Sequence, residues 1–248
     1  MPSPNADLPR LIEDLYAAER SVRSLHARIS DSKDVDQIAA LEVATAEALQ
    51  LSDEEEASVR LVRLAELLGD LEGAKAADLL IDILGTDSLE ARRSAGEALE
   101  DLAFDRFKEL ALAVERALER LPHGHAALTE LPFLLSEVPE PGVRRLLGRF
   151  LAHRDPEAVA ATIEAIVDHA DVSAADLLVP LEKDTRHVEL EDEEGAEGRV
   201  TIGELATEAR SLLAELGAVE RPAVHAAPSF QGAGAGPKEA RPPRGARR

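Results

Sequence analysis

"AADLLIDILGTDSLEARRSAGEALEDLA", residues 76–103, reads as two helices joined by a tight turn. The first helix ends at Leu84, and the turn carries Asp87, followed three residues on by Glu90. The first carboxylate can accept from an orphan helix N–H, and the second reaches back and favours the positive helix end. The same start signal recurs as Ser52 with Glu55, Ser173 with Asp176 and Thr201 with Glu204. Asp155-Pro156 adds an N-cap followed by Pro at the first helical position. Reading between these signals predicts about eleven helices, over 8–30, 34–51, 53–70, 73–85, 88–103, 105–120, 123–137, 141–152, 156–169, 174–184 and 202–217. The connections are short, so successive helices should lie antiparallel.

The helices also repeat. "ARRSAGEALEDLA" (91–103) aligns with "AVAATIEAIVDHA" (158–170), placing Glu97 over Glu164 and Ala98 over Ala165. The shift of 67 residues is two units of about 33, a period that means stacked helical hairpins. Residues 76–103 resemble a HEAT repeat: the second helix reads Ala91-Arg92-x-x-Ala95-x-x-Ala98-Leu99, against the family's Val-Arg-x-x-Ala-x-x-Ala-Leu. "VRRLLGRFLAHRDPEAVAATIEAIVDHA" (143–170) is a looser copy without the Arg, and the unit at 105–137 is degenerate, because Pro132 is expected to interrupt its second helix. The resemblance spans roughly residues 53–217. It implies an all-α, right-handed α-solenoid of HEAT-like antiparallel hairpins whose second helices line a concave side. The expected organisation is an N-terminal helical region at 1–51, repeats at 52–217 with an acidic insertion at 187–200, and a disordered Gly/Pro/Ala-rich basic tail at 218–248.

Composition agrees with an all-α chain. Hydrophobic residues make up 45% and aromatics only 2%, with Tyr16 the single Tyr and no Trp, so the core must be built from Leu, Ala, Ile and Val. The absence of Cys excludes disulfides, thiolate metal sites and Cys nucleophiles. "MPSPNADLPR" lacks a secretory pattern, and no apolar run approaches the roughly 18 residues that span a bilayer, so the expectation is a soluble cytoplasmic protein. An Arg-over-Lys bias fits a GC-rich bacterial genome. The net charge is −21, while residues 218–248 carry six cations against Glu220 and Glu239, which leaves the body near −25. Such a body repels phosphate backbones, so nucleic acid is not an expected partner.

Catalytic constellations are not found in the sequence. A HEAT-containing hydroxylase holds di-iron on His-Glu dipeptides, and here no His is followed by Glu. His123-Gly124-His125 offers two ligands without an evident third. HEAT-type bilin lyases and DNA glycosylases need features absent here: a Cys or aromatic cradle for the first, a basic Trp-bearing cleft for the second. No Gly-rich phosphate loop or Gly-x-Ser-x-Gly is present. The acidic run "HVELEDEEGAEGRVTIGELA" (187–206) fails as a calcium loop: with Gly195 at position 6, Leu190 falls at position 1 and Thr201 at position 12. It reads as a solvated insertion between the two helices of the last hairpin, with alternating flanks that fit a short β-hairpin. The expectation is a protein with no catalytic residue, no metal and no cofactor.

What remains is surface. Leu8, Leu11, Leu15, Ala18, Val22, Leu25 and Ile29 form an a/d seam over three heptads, widened by Ile12 and Tyr16. This helix either caps the open end of the solenoid or docks, onto a partner or a second copy; Ala18 and the lack of opposite e/g charges weigh against the coiled coil. Capping is the expectation, with Glu19, Arg20 and Arg23 on a partner-contacting outer face. Arg60, Arg63, Arg92, Arg93, Glu97 and Glu100 should line the groove of second helices, with Asp87 and Arg92 forming an inter-repeat ladder. Arg145 and Arg149 share a helix face beside Arg144 and Arg154, either as a docking point for an acidic partner or paired with adjacent carboxylates. The functional expectation is a non-enzymatic protein-binding scaffold or regulator, slightly favoured as a monomer. The resemblance also admits a co-regulator of a small Ras-like GTPase and its GTPase-activating protein in cell polarity, or a HEAT-type lyase or hydroxylase.

Overall fold

Nine α-helices, one 3-10 helix and a two-stranded hairpin make up the described residues of the computed structural model, which are 7–32, 36–191 and 197–219. The helices are α1 (Leu8–Ser30), α2 (Gln37–Leu49), α3 (Glu54–Gly69), α4 (Ala74–Leu84), α5 (Leu89–Arg120), α6 (Ala127–Ser136), α7 (Val143–Leu151), α8 (Pro156–Asp168) and α9 (Ile202–Val219). The 3-10 helix is Val172–Leu181, in place of the α-helix expected at 174–184, and strands β1 (His187–Glu191) and β2 (Glu197–Thr201) pair antiparallel with Val188 opposite Val200.

The chain is an all-α stack of helix pairs in two layers. One layer runs α2, α4, the C-terminal half of α5, α7 and the 3-10 helix; the other runs α3, the N-terminal half of α5, α6, α8 and α9. Between them lies a core of Leu, Ala, Ile and Val, with Phe150 the one large ring among the described residues that is fully buried in it. Small residues at the helix crossings, such as Ala65, Ala95, Ala113 and Ala165, let the helices approach closely.

The helices expected at 88–103 and 105–120 form one element. α5 runs through both and bends at Arg106, whose φ −140° and ψ 46° leave the helical region. The Arg106 guanidinium reaches back to the Leu71 carbonyl and to Glu109, which ties the bend to the preceding turn. Pro132 does not interrupt its helix: it lies buried inside α6. α6 starts only five residues before it, so one main-chain bond is lost, and Ser136 Oγ donates to the Pro132 carbonyl at 2.9 Å.

Caps fall close to their expected places. Asp53 rather than Ser52 caps α3, Ser88 rather than Asp87 caps α5, and Asp155 caps α8. At α9 the reciprocal capping box is present: Glu204 N donates to Thr201 Oγ1 at 3.1 Å, and Thr201 N donates to Glu204 at 2.9 Å. The acidic insertion is better anchored than a solvated loop, because Val188 is buried against α8. The disordered tail expected at 218–248 lies outside the described residues from 220 onward, and α9 takes Ala218 and Val219.

α1 departs from the capping expectation. None of its residues is buried, and Leu8, Leu11, Leu15, Tyr16 and Leu25 are more than half exposed. Its apolar stripe therefore does not close the end of the stack. It meets α3 at one point, where His26 Nε2 and Ser30 Oγ both lie 2.8 Å from Asp70. The Ser30 hydroxyl holds the Asp70 carboxyl below its ordinary range; partial burial opposes this, and His26 adds to it.

Candidate protein-binding surface

The two outer faces of the stack treat charge differently. On the face made by the first helix of each hairpin, cations and carboxylates bridge successive units. Lys75 of α4 meets Glu42 of α2. Arg116 and Arg120 of α5 reach Asp78 and Asp82 of α4, at 2.9 and 2.6 Å. Arg145 and Arg149 of α7 reach Glu115 and Glu119 of α5, at 2.9 and 3.6 Å. Arg144 continues the series to Asp176, whose carboxyl it holds below the usual range. The cluster at Arg144, Arg145 and Arg149 is thus engaged along the stack, while Arg154 is exposed and enters none of these pairs. The ladder has a signal in the sequence: i,i+4 carboxylates (Asp78 and Asp82, Glu115 and Glu119) are answered about one repeat later by i,i+4 Arg pairs.

The other face neutralises itself less. Arg60 binds Glu56 at 2.7 Å, Arg63 binds Glu66 at 2.8 Å and Arg93 binds Glu97 at 2.9 Å, each within one helix turn. Arg92 joins Glu130 of α6 at 3.2 Å, so the expected pairing with Asp87 is replaced by one with the next unit. Asp87 instead borders an open groove at the turn end of the stack, with exposed Val59 and Leu89. Along the same face Glu100, Asp101, Glu137, Glu164 and Asp168 are exposed and enter none of the ion pairs among the described residues. On α8 the exposed positions are Glu157, Glu164 and Asp168, one stripe at i, i+7 and i+11. Sequence reasoning singled out the Arg residues of this face with Glu97 and Glu100, and missed Asp101, Glu137, Glu164 and Asp168, which stand out only once the partnered carboxylates are removed.

A groove between α3 and α5 collects Glu66, Asp70, Glu97 and Asp101 near His26 of α1. Arg20 and Arg23 are exposed on α1 with Glu19, away from the stack and in none of the ion pairs among the described residues. The structure thus separates the candidates into three places: the ladder (Arg145, Arg149), the carboxylate-rich face (Arg60, Arg63, Arg93, Glu97) and α1 (Glu19, Arg20, Arg23).

Among the described residues no group of three or more His, Asp or Glu comes together to hold a metal. His123 and His125 turn to different neighbours. His123 lies 6.3 Å from the ring of His153, and His125 packs over Gly85, with burial pushing its imidazole below the ordinary range. No helix among the described residues is long and apolar enough to cross a membrane.

No protein family matches the chain. A search of curated proteins also finds no match. Solved structures that resemble it include an engineered protein, 19% identical over 79% of this chain and 90% of that one, with a TM-score of 0.30. A designed armadillo repeat protein in complex with the peptide (KR)4 is 18% identical over 84% of this chain and 100% of its own, with a TM-score of 0.30. A second designed armadillo repeat protein is 19% identical over 86% and 96%, with a TM-score of 0.27.

Proposed function

We propose that this stack is a right-handed, HEAT-like α-solenoid that acts as a non-enzymatic, cytoplasmic protein-binding scaffold. The observation that carries the reading is the contrast between the two faces. Charges on the ladder face bridge successive units in a series of ion pairs, whereas Glu100, Asp101, Glu137, Glu164 and Asp168 stand exposed without ion partners among the described residues on the other. A carboxylate-rich face of rigid helices suits a partner that presents Lys or Arg, and charge of this kind acts mainly on encounter rate and selectivity. Arg60, Arg63, Arg93 and Glu97 belong to the same surface, and their intrahelical pairs can be exchanged for contacts to a partner at little cost. The Ras-like GTPase system that the resemblance admits has no observation behind it in the fold or the comparisons.

The test is capture of partners from the source organism by the full chain, beside two charge-altered forms. Glu100→Lys with Glu164→Lys and Asp168→Lys reverses the open face, and Arg149→Glu alters the ladder face. Partners held by the wild type should be lost from the first and kept by the second, and binding should weaken with salt. Partners lost only from the Arg149→Glu form would place the binding surface on the ladder side and reject the proposal.

A further inference from the structure

α1 carries an apolar stripe that stands mostly uncovered among the described residues, with Val22 alone on it half-buried. Its N-terminal residues project beyond the stack: Leu8, Leu11 and Leu15 are 54, 61 and 58% exposed. Contact with the body lies near the other end, where His26 and Ser30 meet Asp70 and the Ile29 carbonyl accepts from Gln37 Nε2 of α2 at 2.6 Å. Most helical stability in proteins comes from packing an amphipathic face, and the three heptads of a/d positions in this 23-residue helix are the pattern by which one helix buries itself on another.

We propose that α1 pairs with the α1 of a second copy of this chain, in antiparallel orientation. Charge selects both the occupant and the direction. The whole chain carries −21, but residues 8–30 hold Arg10, Arg20, Arg23 and Arg28 against Glu13, Asp14 and Glu19. This helix is therefore a segment where two copies can meet without the repulsion that keeps their bodies apart. In a parallel pair the g flank of one helix faces the e flank of the other, which sets Asp14 against the partner's Glu19 twice and brings two acidic bodies side by side beyond Ser30. Reversing one helix brings the g flanks together. Asp14 then faces the partner's Arg28, twice, about a central pair of Ser21 residues. The bodies move to opposite ends of a helix roughly 34 Å long, well beyond the ~8–10 Å over which charges act in physiological salt. Glu19 meets its own copy near the axis, where Arg23 one turn along offsets it.

The experiment is sedimentation equilibrium on the full chain, from micromolar to submillimolar concentration, with circular dichroism as a check on the body. The wild type should sediment as a dimer. Leu11→Asp with Leu15→Asp should give the monomer mass with the melting curve of the body unchanged, since neither residue touches it. Arg28→Asp should weaken the dimer by about three- to tenfold, the scale of exposed charge pairs, and adding Asp14→Arg should restore it. A wild type that stays monomeric across the range overturns the proposal, including one that instead co-sediments with phosphatidylglycerol vesicles. A dimer that survives Leu11→Asp with Leu15→Asp also overturns it, by placing the contact elsewhere. Tighter association on Asp14→Arg alone overturns the antiparallel arrangement, because only the parallel pair is relieved by that change.

Discussion

Gly85 sits where a side chain would strike a ring: a Cβ built there lies 2.1 Å from His125 Cε1. The ring is held in place, with its Nδ1 accepting from Ala127 N at 3.3 Å. Gly85→Ala should therefore lower stability in urea by about 1–3 kcal/mol, the usual cost of overpacking. His125→Ala in the same chain should recover most of that loss, a coupling that a double-mutant cycle reads directly. Asp184 gives a second test at this scale. Its carboxylate takes hydrogen bonds from the Arg186 guanidinium and main chain, and Arg186 also donates to the His153 carbonyl at 2.7 Å. The Arg186 side chain holds the Asp184 carboxyl below its ordinary 3.8, with partial burial opposing. A depressed folded value means the stabilisation is full above 3.8 and is lost as pH falls through the lower folded value. Asp184→Asn should thus melt below the wild type at neutral pH, and the two curves should converge once the pH drops well under 3.8. A gap that stays constant across that range would reject the account. Single residues were the least legible scale in the sequence. Ser52 and Asp53, or Asp87 and Ser88, are adjacent residues that can each cap, and the phase of the buried face decides between them.

Elements were far more legible, because repeat spacing and capping signals report backbone period directly. The exceptions have local causes. The break near residue 104 is visible in the sequence, but not that the chain continues in one bent helix. That depends on Arg106 reaching the Leu71 carbonyl 35 residues away. Arg106→Ala should leave this carbonyl without its charged donor and cost about 1–3 kcal/mol, with the loss of helical signal centred on α5 in hydrogen exchange. An unchanged melting curve would mean that the bend is set by packing alone. The ladder makes a graded prediction. Arg116 donates to Asp78 through both Nε and Nη2 and to the Ala74 carbonyl besides, with Asp78 mostly covered. Arg149 touches Glu119 at 3.6 Å with both groups exposed. The Asp78–Arg116 cycle should return about 1 kcal/mol of coupling and the Glu119–Arg149 cycle close to zero. Equal values would show that the ladder acts through its summed field rather than through individual pairs.

At the scale of the whole molecule, the hairpin stack followed from the 67-residue shift, whereas the place of α1 did not. A heptad seam states that a helix has an apolar face; it does not state what lies against that face, and capping, docking and self-pairing share one pattern. The structure separates them by burial. A capping helix would bring several of its seam residues below the surface, and α1 brings none. Removing residues 1–30 should then cost the body little: the loss of the His26 and Ser30 contacts to Asp70 and of the Gln37 bond to the Ile29 carbonyl, all near the surface. For a chain of this size about 1 kcal/mol corresponds to a shift of 2–4 °C, so the truncated chain should melt within about 3 °C of the full one. The point variants should behave alike. Leu15→Asp places its carboxylate in water and should leave the melting temperature unchanged, while Val22→Asp, on the half-buried side nearer the body, should lower it slightly. A fall of more than about 10 °C on truncation would mean that the seam closes onto the stack in solution and that the end of the solenoid is covered after all.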